Sequence, residues 1–242
     1  MGDTAYLSLD GHRVTVSGEG LDFGRPWSTA VTCATRSGQF GLQSGLREGW
    51  TEMLRGHHPD FAFDESYNYQ NGQLRIGSAG LDDAYGYELT GRRGGHTMWV
   101  ALWEGARYAV SIIGRYPAPA RPDHFAYFNQ VVIGEEPDGV VVTARRGGES
   151  TEFFGSELTK EVPKLGLLTI VDARAATAMI PSYEGTRVDG GELYVSPDRT
   201  FFLLVGDTAV TIIQPFGEDG CGGEMDHPQR LDRAERLVVT WE

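Results

Sequence analysis

The sequence has few cysteines and no long hydrophobic run. Its 242 residues include only two cysteines, Cys33 and Cys221, far below the density of a disulfide-stapled secreted domain. No stretch approaches 18 uncharged apolar residues, and the amino terminus has neither the basic region nor the apolar core of a signal peptide. We therefore expect a cytoplasmic protein that does not enter a membrane.

Positive charge is also scarce. The chain has 21 Lys and Arg against 34 Asp and Glu, a formal net charge of −13, and its longest basic clusters are the pairs Arg92-Arg93 and Arg145-Arg146. Nucleic-acid binding draws on a basic surface, so this class of partner is excluded. A large negative charge instead favours encounters with positive surfaces, and we expect a basic protein partner.

Recognisable catalytic and metal-binding motifs are lacking. The chain has no Gly-x-Ser-x-Gly, phosphate-binding or dinucleotide-binding pattern, and the adjacent His57 and His58 have no zinc-ligand spacing. Cys221, with His227 six residues later, has the residue types of a nucleophile pair, but its acidic neighbours disfavour the thiolate. We interpret this region as an acidic contact loop and expect no metal and no cofactor. The contact residues predicted in it are Glu218, Asp219, Glu224 and Asp226.

Glycine is abundant, and its distribution predicts a β-rich fold. The 33 glycines are about twice the usual share, which favours many tight turns. Asp10-Gly11 separates two alternating segments and predicts an N-terminal hairpin. Three segments near the end of the chain predict a second antiparallel meander, at residues 192–195, 200–205 and 208–213.

Two amphipathic helices are predicted in the N-terminal half. The first covers residues 42–55, because Leu42, Leu46, Trp50, Met53 and Leu54 recur with helical spacing. The second begins at a capping Asp123 and places Phe125, Phe128 and Val132 on one face. A shorter helical stretch is predicted near residues 151–162.

Together these elements predict an α+β, β-rich fold. Antiparallel meander sheets and the two amphipathic helices form the N-terminal half, and the C-terminal half is mainly β. A turn-rich segment at residues 134–139 indicates a boundary, giving one domain at residues 1–136 and a second domain or extension at residues 137–242.

The order of elements at residues 4–134 resembles a known family. An N-terminal hairpin, one helix, the segment His58-Pro59-Asp60-Phe61 leading into a meander, and a closing helix at residues 125–132 look like the PsbP/DcrB/LpqN-type α/β sandwich. The resemblance implies a small binding or chaperone-like module, as in the EagR chaperones that hold secreted effectors. The chain differs from that family in its additional second half.

Aromatic residues suggest a groove on the meander of the N-terminal half. Trp99 and Trp103 share one face of a strand, and Tyr85 and Tyr87 share a face of the preceding segment. Such a wall is typical of a pocket for an apolar or aromatic ligand or of a groove for a partner. The alternative is that these side chains form the core beneath the two helices.

Two functions are compatible with this sequence. The first is a non-enzymatic protein-binding module, namely a chaperone, adaptor or immunity-type inhibitor, that uses its acidic surface against a basic partner. The second is a small-molecule enzyme, such as a cyclase or hydrolase of secondary metabolism, with the aromatic residues as its pocket and with His96 or His124 as acid or base. The absence of a catalytic motif favours the first.

Overall fold

The computed structural model describes residues 3–24, 27–36, 38–81, 96–117, 123–147, 150–196, 201–214 and 228–242. Strands dominate these residues. In chain order the elements are β1 (Thr4–Leu7), β2 (Arg13–Ser17), β3 (Trp27–Thr35), β4 (Gly38–Leu46), α1 (Trp50–His57), β5 (Ala62–Tyr69), β6 (Gly72–Leu81), β7 (His96–Glu104), β8 (Tyr108–Pro117), α2 (His124–Phe128), β9 (Val131–Glu136), β10 (Gly139–Ala144), β11 (Glu152–Val162), β12 (Gly166–Asp172), a 3-10 turn (Thr177–Met179), β13 (Thr186–Val188), β14 (Gly191–Val195), β15 (Phe202–Val205), β16 (Ala209–Gln214), α3 (Pro228–Glu235) and β17 (Val238–Trp241).

The chain forms two compact units. Unit 1 consists of Met1–Ala30 and Gly155–Glu242, and unit 2 of Val31–Phe154. Both borders therefore fall within strands, one in β3 and the other in β11. The boundary predicted near residue 136 lies inside unit 2, beside the turn that joins β9 to its antiparallel partner β10.

Unit 1 has two antiparallel sheets that share one apolar core. The small sheet has the order β1-β2-β17, and the larger one contains the order β13-β14-β15-β16-β12-β11. Alternate side chains of the small sheet, such as Val14 and Val16, are fully buried and pack with Leu168, Ile170 and Ile213 of the larger sheet. Burial of these branched side chains holds the two sheets face to face.

Unit 2 contains an antiparallel sheet in the order β4-β8-β7-β6-β5, with α1 on one face. Trp50 and Leu54 of α1 pack against Met98, Val100 and Leu102, which alternate along β7. The helix starts immediately after Gly49, whose φ of 100° is costly for residues that carry a Cβ atom.

Glu135 of the β9–β10 hairpin binds the turn between β7 and β8. Its carboxylate accepts hydrogen bonds from the backbone N–H groups of Ala106, Arg107 and Tyr108 at 2.7 to 2.8 Å. Burial would raise the pKa of Glu135, but these three donors and the Arg107 guanidinium outweigh that effect and lower it. The carboxylate therefore has a structural role in this turn.

The predicted helix at residues 42–55 is wrong over most of its length. Residues 42–46 belong to β4, in which Leu42 and Ser44 are fully buried while the intervening Gln43 is exposed. Leu46, predicted to face the core, is 39% exposed. The glycines at positions 38, 41, 45 and 49 disfavour a helix in this part of the chain. The pairing of β4 with β8 stabilises the strand instead.

The second amphipathic helix is also wrong in extent, although its predicted cap is correct. Asp123 accepts a hydrogen bond from the backbone N–H of Ala126 at 3.1 Å, as an N-cap residue does. The helix ends at Phe128, because the chain then enters β9 and pairs with β10. Val132 is consequently a strand residue and is 42% exposed.

The C-terminal half agrees better with the sequence, apart from one element. The predicted meander corresponds to β14, β15 and β16, which pair in that order as antiparallel neighbours. The stretch at residues 151–162 is wrong as a helix, because it forms β11 and pairs with β12. The β-rich character is therefore confirmed, whereas the two amphipathic helices of the predicted α+β fold are not present as predicted.

Candidate functional site

The negative charge is concentrated in unit 1. Its residues include 10 basic against 19 acidic side chains, a formal charge of −9, whereas unit 2 has 11 against 15, a formal charge of −4. The two values account for the net charge of −13. A cationic partner that approaches the protein is therefore attracted mainly by unit 1.

Unit 1 has a cavity of about 760 Å³ with an acidic lining, which we call the acidic cavity. It lies at one end of the small sheet, beside Thr4, Ser17 and Val238. Among the described residues its lining has four carboxylates, one cation, Arg236, and apolar atoms of Leu21 and Phe23. The four carboxylates are those of Asp3, Glu19, Asp22 and Asp189.

Arg236, the cation among the described lining residues, is held by a neighbouring carboxylate. The Arg236 guanidinium donates to both carboxylate oxygens of Asp232, one helical turn earlier, at 2.8 Å each. Glu19 and Asp189 also act on Arg236 electrostatically, so this one cation faces several carboxylates and the described lining keeps an excess of negative charge. A second cavity of about 400 Å³ also includes Asp189 and Arg236 in its lining, so the two cavities adjoin.

Residues 18–24 form one wall of the acidic cavity. Gly18 permits this wall to approach the main chain of residue 236, since a Cβ atom on Gly18 would lie 2.9 Å from the Arg236 carbonyl oxygen. The backbone N–H of Leu21 donates to the Gly18 carbonyl, and that of Gly24 donates to the Asp22 carboxylate at 2.9 Å. The Asp22 carboxylate thus stabilises the backbone of the wall and also lines the cavity.

A buried lysine lies next to this wall. Lys160 of β11 has no exposed surface, and its ammonium nitrogen is 5.6 Å from the centre of the Tyr6 ring. Tyr6 contacts Trp27 in a tilted arrangement, with a centroid distance of 5.2 Å and an interplanar angle of 60°, and donates its hydroxyl to the Phe23 carbonyl at 3.2 Å. The aromatic faces and the apolar core give Lys160 an environment of low polarity.

Burial shifts the pKa values of both Lys160 and Tyr6. It lowers the pKa of Lys160 to about 8, although the carboxylates of Asp22 and Glu161 favour the charged form. Burial also raises the pKa of the Tyr6 hydroxyl to about 12. Tyr6 thus remains a neutral donor under conditions in which Lys160 changes its charge.

The sequence contained a signal for Lys160 that our interpretation missed. The buried positions of β11 are Leu158, Lys160 and Val162, so the lysine occupies a core position of an alternating strand. Because residues 151–162 were interpreted as helical, this alternation was not recognised. A charged residue in register with two buried aliphatic residues marks a site worth inspection.

The predicted aromatic groove is only partly described. Trp99 and Trp103 do share a face of β7, opposite the residues that contact α1. Trp103 is 2% exposed and its ring N–H donates to the Tyr69 carbonyl at 2.9 Å, whereas Trp99 is half-buried. Tyr85 and Tyr87 lie outside the described residues, and the groove stays a prediction.

The predicted acidic contact loop also lies outside the described residues. This applies to Glu218, Asp219, Glu224 and Asp226, and to Cys221 and His227. The other cysteine, Cys33, is buried, and burial raises the pKa of its thiol to about 12. Cys33 is therefore a neutral thiol at physiological pH.

The other candidate acid and base residues are His96 and His124 in unit 2 and a serine, an aspartate and a histidine in unit 1. His96 and His124 are both buried in unit 2. In unit 1, Ser8, Asp10 and His12 lie in one turn, but the Ser8 hydroxyl donates to Asp10 at 2.6 Å and accepts from the His12 backbone N–H. A nucleophilic serine would instead bond the imidazole.

Within the ranges that the structure describes, no three His, Cys, Asp or Glu side chains are placed to hold a metal ion. No described helix has the length and apolar character needed to cross a bilayer.

Compared with known protein families, curated proteins and solved structures, the chain shows no significant match.

Proposed function

We propose that this protein is a non-enzymatic binding module that recognises a basic protein partner through the acidic cavity of unit 1. The observation that carries the proposal is the lining of that cavity, where the described residues place four carboxylates around one arginine that Asp232 also binds. A chaperone, an adaptor and an immunity-type inhibitor would all use this chemistry.

The chemistry of the acidic cavity suits the side chains of a basic protein. Arg and Lys combine a cationic head with an aliphatic stem, and the lining offers carboxylates beside apolar atoms of Leu21, Phe23 and Val238. A volume of about 760 Å³ is within the range of sites that accept a ligand or several side chains. The excess negative charge of unit 1 would accelerate the encounter.

The fate of a cavity variant in an affinity capture experiment tests this proposal. Glu19 and Asp189 are exposed members of the lining, so Glu19→Gln with Asp189→Asn removes two charges from the site. Asp60→Asn with Asp64→Asn makes the same charge change on exposed residues of unit 2 and is the control. We expect the native protein and the control to retain a basic protein from the source cell, and the cavity variant to lose it.

Two outcomes of this experiment would count against the proposal. One is the capture of the same proteins by the cavity variant and the control. The other is turnover of a small molecule by the native protein in the absence of any protein partner, which would favour the enzyme alternative with its predicted pocket at Trp99 and Trp103.

A further inference from the structure

We propose that Lys160 is a protonation-dependent charge that controls the acidic cavity, which binds cationic groups more tightly when the Lys160 amine is neutral. This inference rests on the proposed function, because it assumes that the acidic cavity is where cationic groups bind. It adds a regulating residue that lies outside the lining of the cavity.

Two interactions connect Lys160 to the cavity wall, one through Tyr6 and one through Asp22. Its ammonium nitrogen lies over the ring of Tyr6, and the Tyr6 hydroxyl donates to the carbonyl of Phe23, a lining residue. The second connection is electrostatic, because the Asp22 carboxylate stabilises the charged ammonium and also lines the cavity. Asp22 additionally accepts the hydrogen bond from Gly24 that folds the wall.

Charged and titratable groups of three described segments face Lys160. They include Tyr6 of β1, Asp22 of the cavity wall and Glu161 of β11 itself. When Lys160 is protonated, its charge offsets part of the negative potential of Asp22. When it loses the proton, Asp22 is released from this interaction, and the negative potential of the cavity increases because a positive charge close to its wall is removed.

The choice of lysine at this position is chemically informative. Of the 21 basic residues in the chain only two are lysines, Lys160 and Lys164, and the other 19 are arginines. An arginine would remain charged at every accessible pH, whereas a buried lysine can lose its proton near neutrality. Position 160 therefore holds a residue whose charge can change.

Lysine-selective carbon-13 labelling of the native protein tests the coupling directly. Such labelling gives two side-chain signals, and the Lys164→Met variant assigns them. We expect the Lys160 signal to titrate near pH 8 and the backbone amide signals of residues 21–24 to shift with the same midpoint. In Lys160→Met the amide shifts should disappear, whereas Lys164→Met, which changes an exposed lysine, should retain them. Amide signals that do not move, or that move equally in Lys160→Met, would overturn the proposal.

Calorimetry with acetylated tetra-arginine amide tests the effect on binding, since the charge of this peptide is constant between pH 7 and pH 9.5. We expect the native protein and Lys164→Met to bind it roughly three- to tenfold more tightly at pH 9.5, the size of one added charge at intermediate distance. Lys160→Met should bind equally at both pH values.

The role of Lys160 and the proposed function are refuted by different results. An equal pH effect in the native protein and Lys160→Met would overturn the role of Lys160 and leave the proposed function standing. Absence of peptide binding at both pH values, with the amide shifts intact, would overturn the proposed function and with it the effect of Lys160 on binding.

Discussion

Replacing Lys160 with methionine is expected to remove a contribution that raises the free energy of unfolding by about 3 kcal/mol between pH 8 and pH 10.5, measured as the difference between the native protein and the variant. Cys33 and Tyr6, whose pKa values are raised by burial, lower the stability of both proteins at high pH and therefore cancel in this difference. In the folded protein the pKa of Lys160 is lowered by burial to about 8 from 10.5. Between these values the unfolded chain binds a proton that the folded chain does not, so stability increases with pH. The size follows from about 1.4 kcal/mol for each pKa unit.

The same variant should be more stable than the native protein at pH 7. Below pH 8 both states carry the proton, and the folded state bears the full cost of a buried ammonium. Methionine has a similar length and no charge, so we expect a gain of about 1 to 3 kcal/mol. Urea unfolding at pH 7, 8, 9 and 10 measures both effects.

Lys164→Met is the matched control for this experiment. Lys164 is exposed, and replacing it should change the free energy of unfolding by less than about 0.5 kcal/mol while leaving its pH dependence unchanged. If Lys160→Met shows the same rise between pH 8 and pH 10 as the native protein, Lys160 is not the group responsible.

Replacing Trp103 with alanine is expected to lower the free energy of unfolding by about 3 to 5 kcal/mol, as large aromatic deletions in cores do. Trp103 is fully buried, and its ring lies so close to Gly72 that a Cβ atom there would be 2.6 Å from the indole nitrogen. Alanine would leave a large cavity and the Tyr69 carbonyl without this donor.

Trp103→Phe separates the two contributions. Phenylalanine keeps most of the apolar volume but cannot donate to the Tyr69 carbonyl, so we expect a smaller loss of about 1 to 3 kcal/mol. Urea unfolding at neutral pH measures both variants. A Trp103→Ala loss below about 1 kcal/mol would contradict a core role and would support the predicted aromatic groove.

Local patterns of the sequence predicted those parts of the fold that depend on neighbouring residues. The hairpin around Gly11 forms, with Leu7 opposite Arg13, and Asp123 caps α2. Both features depend on turn or capping chemistry within a few residues.

Features that depend on distant parts of the chain were not predicted. Leu42 fits a helical and an alternating pattern, and the pairing of β4 with β8, about 65 residues later, decides between them. The pairing of Val16 with Val239 joins the two ends of unit 1 and leaves no local trace. Lys160 was missed for a different reason, because residues 151–162 were interpreted as a helix and the alternation of β11 was not recognised.

The acidic cavity was also beyond the reach of local patterns. Its four carboxylates come from three separate segments of the sequence, at positions 3, 19 and 22, and 189. The pairing of β1 and of β17 with β2 brings the first two segments together, and the close approach of Gly190 to the Leu237 carbonyl places Asp189 beside them. The net charge predicted a basic partner, but it did not indicate which carboxylates would lie together.

Acetylated tetra-arginine amide tests directly whether cationic groups bind in the acidic cavity. Its affinity at pH 7 and low salt is measured for three proteins, which are the native protein, the cavity variant Glu19→Gln/Asp189→Asn and the unit 2 control Asp60→Asn/Asp64→Asn. We expect the cavity variant to bind roughly five- to tenfold more weakly, about 1 kcal/mol, and the unit 2 control to stay within about twofold of the native protein. Added salt should weaken the native affinity towards that of the cavity variant. Equal losses in the two double variants would contradict the claim, since binding would then follow the total charge and not the acidic cavity.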